Sequence, residues 1–161
     1  MTAAPDTAGV IAPPPLLALA AIVVGLALDW RAPLGWMAAV PPNVRYSLAA
    51  LLIALAAFVS LRAVRAFGRA GTEVKPWLPS TALVTGDIFS RTRNPMYWGL
   101  GLLIAGIGFA LASDWMFAAL AAFGIAIHYG VVLREERYLE AKFGEPYRRY
   151  RSSVPRYGWR F

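Results

Sequence analysis

Two stretches decide the fold of this chain: residues 91–99 read RTRNPMYWG, and residues 134–156 read REERYLEAKFGEPYRRYRSSVPR. The sequence between them is apolar except for a short turn at Ser113 and Asp114. A two-residue turn between two apolar segments predicts an antiparallel helical hairpin. We therefore expect charged residues and aromatic rings at both ends of this hairpin, forming a polar site where it meets a membrane surface.

The composition indicates an integral membrane protein. The chain has 161 residues, of which 58% are hydrophobic and 16% charged, and its mean hydropathy is +0.52, too apolar for a soluble domain of this size. The net charge of +7 favours cytoplasmic Lys and Arg beside anionic lipid over binding to nucleic acid. With no cysteine and one histidine, the sequence predicts no disulfide, no cysteine nucleophile and no metal site.

Hydropathy predicts an all-α polytopic protein with about four transmembrane helices and a short cytoplasmic C-terminal helical segment. A flexible arm (residues 1–15) precedes a two-span membrane scaffold (16–66), and a core with a helical hairpin and a cytoplasmic tail follows (67–161). Gly144 and Pro146 are expected to divide the tail into two short helices. The predicted spans are residues 16–28, 46–66, 97–112 and 115–133.

The distribution of basic residues predicts the orientation of the spans. Six Lys and Arg residues lie between positions 62 and 93, and eight follow Leu133, whereas the two opposite connections hold only Arg31 and Arg45. The positive-inside rule then places both termini in the cytoplasm. The composition looks bacterial, so we expect the membrane to be a bacterial inner membrane. The two motif segments would lie on the same side. The connection over residues 67–94 is long enough to suggest a functional loop.

The first motif combines a helix start with fixed positive charge. Asn94 is a good N-cap and Pro95 suits the first helical position. A helix start alone explains only these two residues. Arg91 and Arg93 add positive charge to a helix terminus that already favours anions, so the motif suits a carboxylate or a phosphate.

The second motif begins at His128 and continues through Arg134, Glu135 and Glu136. On a regular α-helix His128 and Glu135, seven residues apart, share one face, and Glu136 points elsewhere. An ionisable residue within a membrane span suggests a functional role. The simpler alternatives are a hydrogen-bonded core histidine and a solvated helix face with ion pairs four residues apart.

Aromatic residues accompany both motifs. Tyr97 and Trp98 begin the third predicted span, and Tyr147 and Tyr150 alternate with basic groups in the tail. These rings would either form a pocket wall and a lid over a ligand, or belong to an aromatic belt that anchors the protein at the interface.

The two motifs and their spacing resemble the isoprenylcysteine carboxyl methyltransferase and phospholipid methyltransferase group, particularly its bacterial members. The resemblance covers about residues 71–156. Before the hairpin, it rests on Gly71, Thr72, Val74, Pro76, Leu83, Val84, Gly86, Arg93, Asn94, Pro95, Met96, Tyr97 and Gly99. After the hairpin, it rests on Glu135, Glu136, Leu139, Phe143, Gly144, Tyr147, Tyr150, Val154 and Pro155.

The resemblance implies a membrane methyltransferase that uses S-adenosylmethionine, bound on the cytoplasmic side by the loop before the third span and the segment after the fourth. We predict that Arg93 binds the carboxylate of the methionine part and Glu135 its ammonium or the ribose diol. The expected cofactor-binding residues are Arg91, Arg93, Asn94, Pro95, Tyr97, His128, Arg134, Glu135, Tyr147 and Tyr150. The expected catalytic residues are Glu135, Glu136 and His128.

A glycine-rich turn of the soluble dinucleotide-binding type is missing, because Ile104 occupies the third glycine position after Gly99 and Gly101. The glycines of this span, which also include Gly106 and Gly108, are expected to permit close helix packing. The sequence leaves open whether the lipophilic acceptor is a carboxylate, an amine or a thiol, and which oligomer forms. The alternative function is a non-catalytic membrane module that binds anionic lipid or a partner protein.

Overall fold

A computed structural model describes residues 6–158, which are helical throughout their regular structure and contain no strand. A π-helical turn, His128–Val132, joins α4 to α5, so that Trp115–Phe143 is one continuous helix. Two 3₁₀ turns, Met37–Ala39 and Asp87–Ser90, lie in the connections. The helices are α1 (Pro14–Arg31), α2 (Pro42–Ala70), α3 (Pro95–Leu111), α4 (Trp115–Ile127), α5 (Leu133–Phe143) and α6 (Glu145–Ser153).

The described residues contain three helices that are long and apolar enough to cross a membrane, Pro14–Arg31, Pro42–Ala70 and Trp115–Phe143. The fourth apolar helix, α3, is shorter, with 17 residues. At a rise of about 1.5 Å per residue it reaches roughly 26 Å, near the lower limit for a span. The predicted all-α polytopic membrane fold is confirmed.

Contacts divide the chain into two compact units. The second unit contains Pro14–Phe58 and Tyr97–Ile127, and within it α1 packs along α4. Glycines allow close approach there: a Cβ at Gly106 would lie 2.8 Å from Ile53 Cγ1, and one at Gly25 would lie 3.2 Å from Met116 Cα. Such close packing holds helices together where lipid removes the hydrophobic driving force.

Two aspartates join the connections of the second unit, and we call Asp29, Asp114 and their donors the carboxylate clasp. Asp29, near the end of α1, accepts hydrogen bonds from the hydroxyl of Ser113 and from the backbone N–H of Trp115. Asp114 accepts one from the backbone N–H of Met37, at 2.8 Å. Free N–H groups at a helix start need such acceptors, so the clasp fixes the turn that precedes α4.

The first unit contains Met1–Pro13, Val59–Met96 and His128–Phe161. Its core joins the last turns of α2, the 3₁₀ turn Asp87–Ser90 and α6. The buried residues of this core are Val59, Ala63, Ala66, Ile88, Phe89, Tyr147, Tyr150 and Val154. The predicted division of the tail is confirmed, since Gly144 separates α5 from α6 with a φ of 59°, a conformation that glycine adopts readily.

Candidate functional site

A group of charged side chains surrounds a buried carboxylate in the first unit, and we call Arg93, Glu136, Arg156 and Tyr147 the arginine–glutamate cluster. Glu136 is only 8% exposed. Arg156 donates to both of its oxygens, with Nε–Oε1 and Nη2–Oε2 distances of 2.7 Å. Arg93 Nη1 lies 2.8 Å from Glu136 Oε1 and donates to the hydroxyl of Tyr147 at 3.3 Å. One carboxylate therefore joins two guanidinium groups.

Backbone contacts hold the segment before α3 against the tail. The N–H of Arg93 donates to the carbonyl of Pro155 at 3.0 Å, and the side-chain amide of Asn94 donates to the carbonyl of Arg156, also at 3.0 Å. Asn94, predicted to bind the cofactor, thus holds the residue that pairs with Glu136. Pro95 is buried at the start of α3.

The cluster has more donors and positive charge than its own acceptors use. Two guanidinium groups and one carboxylate leave a net charge of +1, and no residue among 6–158 accepts a hydrogen bond from the buried Nε of Arg93. The Arg93 side chain is 9% exposed. A buried donor without a partner carries a desolvation cost, which an anionic ligand would remove.

Burial and charge shift the titration of groups in the tail. The hydrogen bonds with Glu136 raise the pKa of Arg156 above its already high value. Burial, together with the nearby Glu136 charge, raises the pKa of Tyr147. Both residues therefore keep their protons at neutral pH, so Arg156 stays cationic and Tyr147 can donate through its hydroxyl.

The π turn alters the helical spacing between His128 and the two glutamates. The predicted shared face of His128 and Glu135 assumed regular α-helical spacing, whereas a π turn adds one residue. The ring nitrogen Nδ1 of His128 lies 2.8 Å from the hydroxyl of Tyr157, whose neighbour Arg156 holds Glu136. Glu136, expected to point elsewhere, is thus the buried carboxylate, and Glu135 is half-buried beside it.

The remaining predicted site residues fall into different surroundings. The hydroxyl of Tyr150 donates to the carbonyl of Phe89 at 2.7 Å, and burial raises its pKa. Arg134 donates to the carbonyl of Gly9. Arg91 is exposed, and Tyr97 belongs to the second unit, where it is half-buried.

Sequence reasoning did not assign Arg156 to the site. The available signal was its position directly after Val154 and Pro155, at the end of the second motif. A basic residue in a tail with many arginines gives no indication that it will reach a carboxylate twenty positions earlier.

As for metals, residues 6–158 contain no group of three or more His, Asp or Glu side chains placed to hold an ion.

The fold and the cluster together define a polytopic membrane protein with a buried cationic site. A family model described as phospholipid methyltransferase matches residues 44–146. Because this match covers more than half of the chain, the protein belongs to that family, and the predicted resemblance is confirmed. Family membership indicates a membrane methyltransferase. No curated protein and no solved structure matches the chain significantly.

Proposed function

We propose that this protein transfers a methyl group from S-adenosylmethionine to a lipophilic acceptor at the cytoplasmic face of the membrane. The observation that carries the proposal is the buried, cationic arginine–glutamate cluster, whose Arg93 Nε has no acceptor among the described residues. Membership in a methyltransferase family supplies the reaction class.

The cluster suits the methionine carboxylate of that cofactor. Arg93 already contacts Glu136 and Tyr147 through Nη1, and its Nε remains as a charged donor. A charge-assisted hydrogen bond to such a donor is worth about 1.5 to 3 kcal/mol. The pairing with Glu136 and the contact with Tyr147 would hold the guanidinium in place before the ligand arrives.

The roles of the two adjacent glutamates divide according to their surroundings. Both oxygens of Glu136 accept from Arg156, so this carboxylate is poorly suited to removing a proton and better suited to positioning the two arginines. Glu135 is half-buried at the next position. We assign it to the cofactor ammonium or the ribose diol.

The bound cofactor supplies an electrophilic methyl group on a sulfonium. The protein then has to align the acceptor and exclude water, and it needs no covalent nucleophile. Tyr147, fully buried beside Arg93, provides one wall of the proposed site. A carboxylate acceptor needs no base, whereas an amine or thiol must lose a proton, for which His128 and Glu135 are the candidates.

The acceptor is proposed to enter from the bilayer. Its chain would stay among lipids while the charged cofactor arrives from the cytoplasm, where we expect both motifs from the arginine distribution. Trp98, at the start of α3 and 45% exposed, suits the headgroup level. Such entry predicts that long-chain acceptors react faster than short-chain versions of the same headgroup.

Arg93→Lys tests the cofactor site. Lysine keeps the charge but loses the Nε donor and the planar guanidinium. We expect the affinity for S-adenosylhomocysteine, measured by calorimetry in detergent, to fall by about tenfold to a hundredfold. Arg149→Lys is the matched control, since Arg149 is an exposed arginine of α6. The affinity of this variant for S-adenosylhomocysteine should equal that of the wild type.

Turnover tests the reaction class and the acceptor. Vesicles would carry phosphatidylethanolamine, a long-chain S-alkylcysteine or a long-chain amine, each compared with a short-chain analogue, and methyl transfer from labelled S-adenosylmethionine would be followed. Wild-type protein that is folded but binds neither the cofactor nor its product would contradict the proposal. Retention on anionic vesicles in that case would support the non-catalytic alternative.

A further inference from the structure

The segment 6–13, which we call the arm, lies within the first unit and contacts one stripe of the helix that carries the cluster. The N–H of Ile11 donates to the carbonyl of Gly130 at 3.1 Å, inside the π turn. Further along, Arg134 donates to Gly9, and Tyr138 and Lys142 both donate to Asp6. The helix positions 130, 134, 138 and 142 all contact the arm, so they form a single stripe along one side of the helix.

The tail holds a different stripe of the same helix. Glu136 pairs with Arg156, and Glu140 pairs with Arg151 at 2.6 Å. Side chains two positions apart on an α-helix point about 200° apart around its axis, so Glu136 lies nearly opposite Arg134. The arm and the tail therefore hold α5 from two sides.

Gly130 leaves room for Ile11. A Cβ at position 130 would lie 2.3 Å from Ile11 Cδ1 and 2.6 Å from Ile11 Cγ1, too close for any real contact. Ile11 is 54% exposed, so its Cδ1 can rotate away about χ2. Its Cγ1 is held in place by χ1, which is stiff in a branched side chain, and by the N–H bond to Gly130. Any side chain at position 130 should therefore displace the arm.

We infer that Ile11 and Gly130 are positioning residues: docking of the arm on the π turn holds α5 in the register that keeps Glu136 in the arginine–glutamate cluster. If the π turn became α-helical, removal of its extra residue would rotate Glu136 by about 100° away from Arg93 and Arg156. This inference rests on the proposed function, since it assigns to the arm an effect on cofactor binding.

Four variants test this role: Gly130→Ala, Ile11→Ala, the double variant, and Gly124→Ala as control. Gly124 lies in α4, and a Cβ there would meet nothing within 4 Å. The control makes the same glycine-to-alanine change in the same long helix but outside the π turn, so it shows the effect of the substitution without a contact with the arm. Each protein would be titrated with S-adenosylhomocysteine by calorimetry.

Spin labels report the position of the arm independently. The chain has no native cysteine, so Thr7→Cys with Ala141→Cys, an exposed position of α5, gives one labelled pair. In Gly130→Ala the distance between the labels should lengthen and broaden. The affinity for S-adenosylhomocysteine should fall about tenfold, and Ile11→Ala in the same chain should restore most of it, as coupled neighbours do. Gly124→Ala should change neither quantity.

Release of the arm in Gly130→Ala without loss of affinity would overturn the inference, and so would an arm that stays docked. Equal losses of affinity in Gly130→Ala and Gly124→Ala would also overturn it. Failure of the wild type to bind S-adenosylhomocysteine would overturn the proposed function and this inference with it. That outcome would be distinguishable from failure of the inference alone, because the label distances would still respond to Gly130→Ala while no protein bound S-adenosylhomocysteine.

Discussion

The carboxylate clasp of the second unit and the arginine–glutamate cluster of the first unit both connect distant parts of the chain through carboxylates, but with different partners. Asp29 and Asp114 accept hydrogen bonds from backbone N–H groups and a hydroxyl. Glu136 accepts from guanidinium groups. The clasp thus pairs each carboxylate with neutral donors, and the cluster pairs one carboxylate with two cations.

The difference separates a structural network from a binding site. The carboxylates of the clasp accept hydrogen bonds from the free N–H groups of short turns and helix starts. A helix terminus requires such acceptors. The cluster has an additional charged donor, Arg93 Nε, and one unit of positive charge beyond its own acceptor. Surplus donors and surplus charge of one sign are what an anionic ligand needs.

Glu136→Gln should have the largest effect of the changes that probe this comparison. It removes the carboxylate from two guanidinium groups, one of them 9% exposed. Removing one partner of a buried ion pair costs about 3 to 5 kcal/mol. We expect this loss of stability in unfolding experiments in detergent, together with loss of S-adenosylhomocysteine binding.

Glu140→Gln is the matched control for that change, because Glu140 lies one turn further along α5 and pairs with Arg151. The side chains of this pair are 32% and 46% exposed. Exposed pairs contribute at most about 1 kcal/mol. Equal destabilisation by the two substitutions would show that burial does not distinguish the cluster.

Asp29→Ala should have an intermediate effect and only on stability. It removes the acceptor for the Ser113 hydroxyl and the Trp115 N–H. Loss of such a cap costs about 1 to 2 kcal/mol, whereas Asp29→Asn, which keeps an acceptor oxygen, should lose less. Calorimetry should give the wild-type affinity for S-adenosylhomocysteine in both variants. A weaker affinity would contradict the structural assignment of the clasp.

The fold could be predicted well from the sequence, because spans depend on local hydropathy. The third and fourth predicted spans begin within two residues of α3 and at the start of α4. The site could be predicted only in part. Residue types and the helix start at Pro95 pointed to Arg93, which lies in the cluster. Regular spacing favoured Glu135 over Glu136, because nothing in the sequence HYGVV indicates a π turn.

Long-range partners were the other part that the sequence could not provide. Arg156 reaches Glu136 from twenty residues away, and Asp6 reaches Lys142 from 136 residues away. Each of these basic residues has many similar neighbours in the sequence, and only tertiary packing selects among them. Local patterns therefore predict which chemistry is present, whereas packing decides which pairs form.

Asp87 provides the smallest expected effect and the sharpest check on the role of burial, since it also joins two arginines, here with exposed side chains, although the Asp87 side chain itself is only 12% exposed. It accepts from Arg62 at 2.8 Å and from Arg69, whose side chains are 46% and 63% exposed. The hydrogen bond from Arg62, with help from Arg69, lowers the pKa of Asp87 below its ordinary value of 3.8. A lowered pKa in the folded state means that this stabilisation is fully present above the ordinary value and disappears as the pH falls through the folded value.

Asp87→Asn is a suitable change because Asn also tolerates the φ of 56° at this position. The difference in unfolding free energy between wild type and variant should be below about 1 kcal/mol at neutral pH, decrease with salt, and shrink below about pH 4. Melting in detergent between pH 7 and pH 3 measures it. A difference that grows on acidification would contradict the lowered pKa of Asp87. A difference as large as that of Glu136→Gln would mean that two arginines around a carboxylate stabilise this protein whether or not the arginine side chains are exposed.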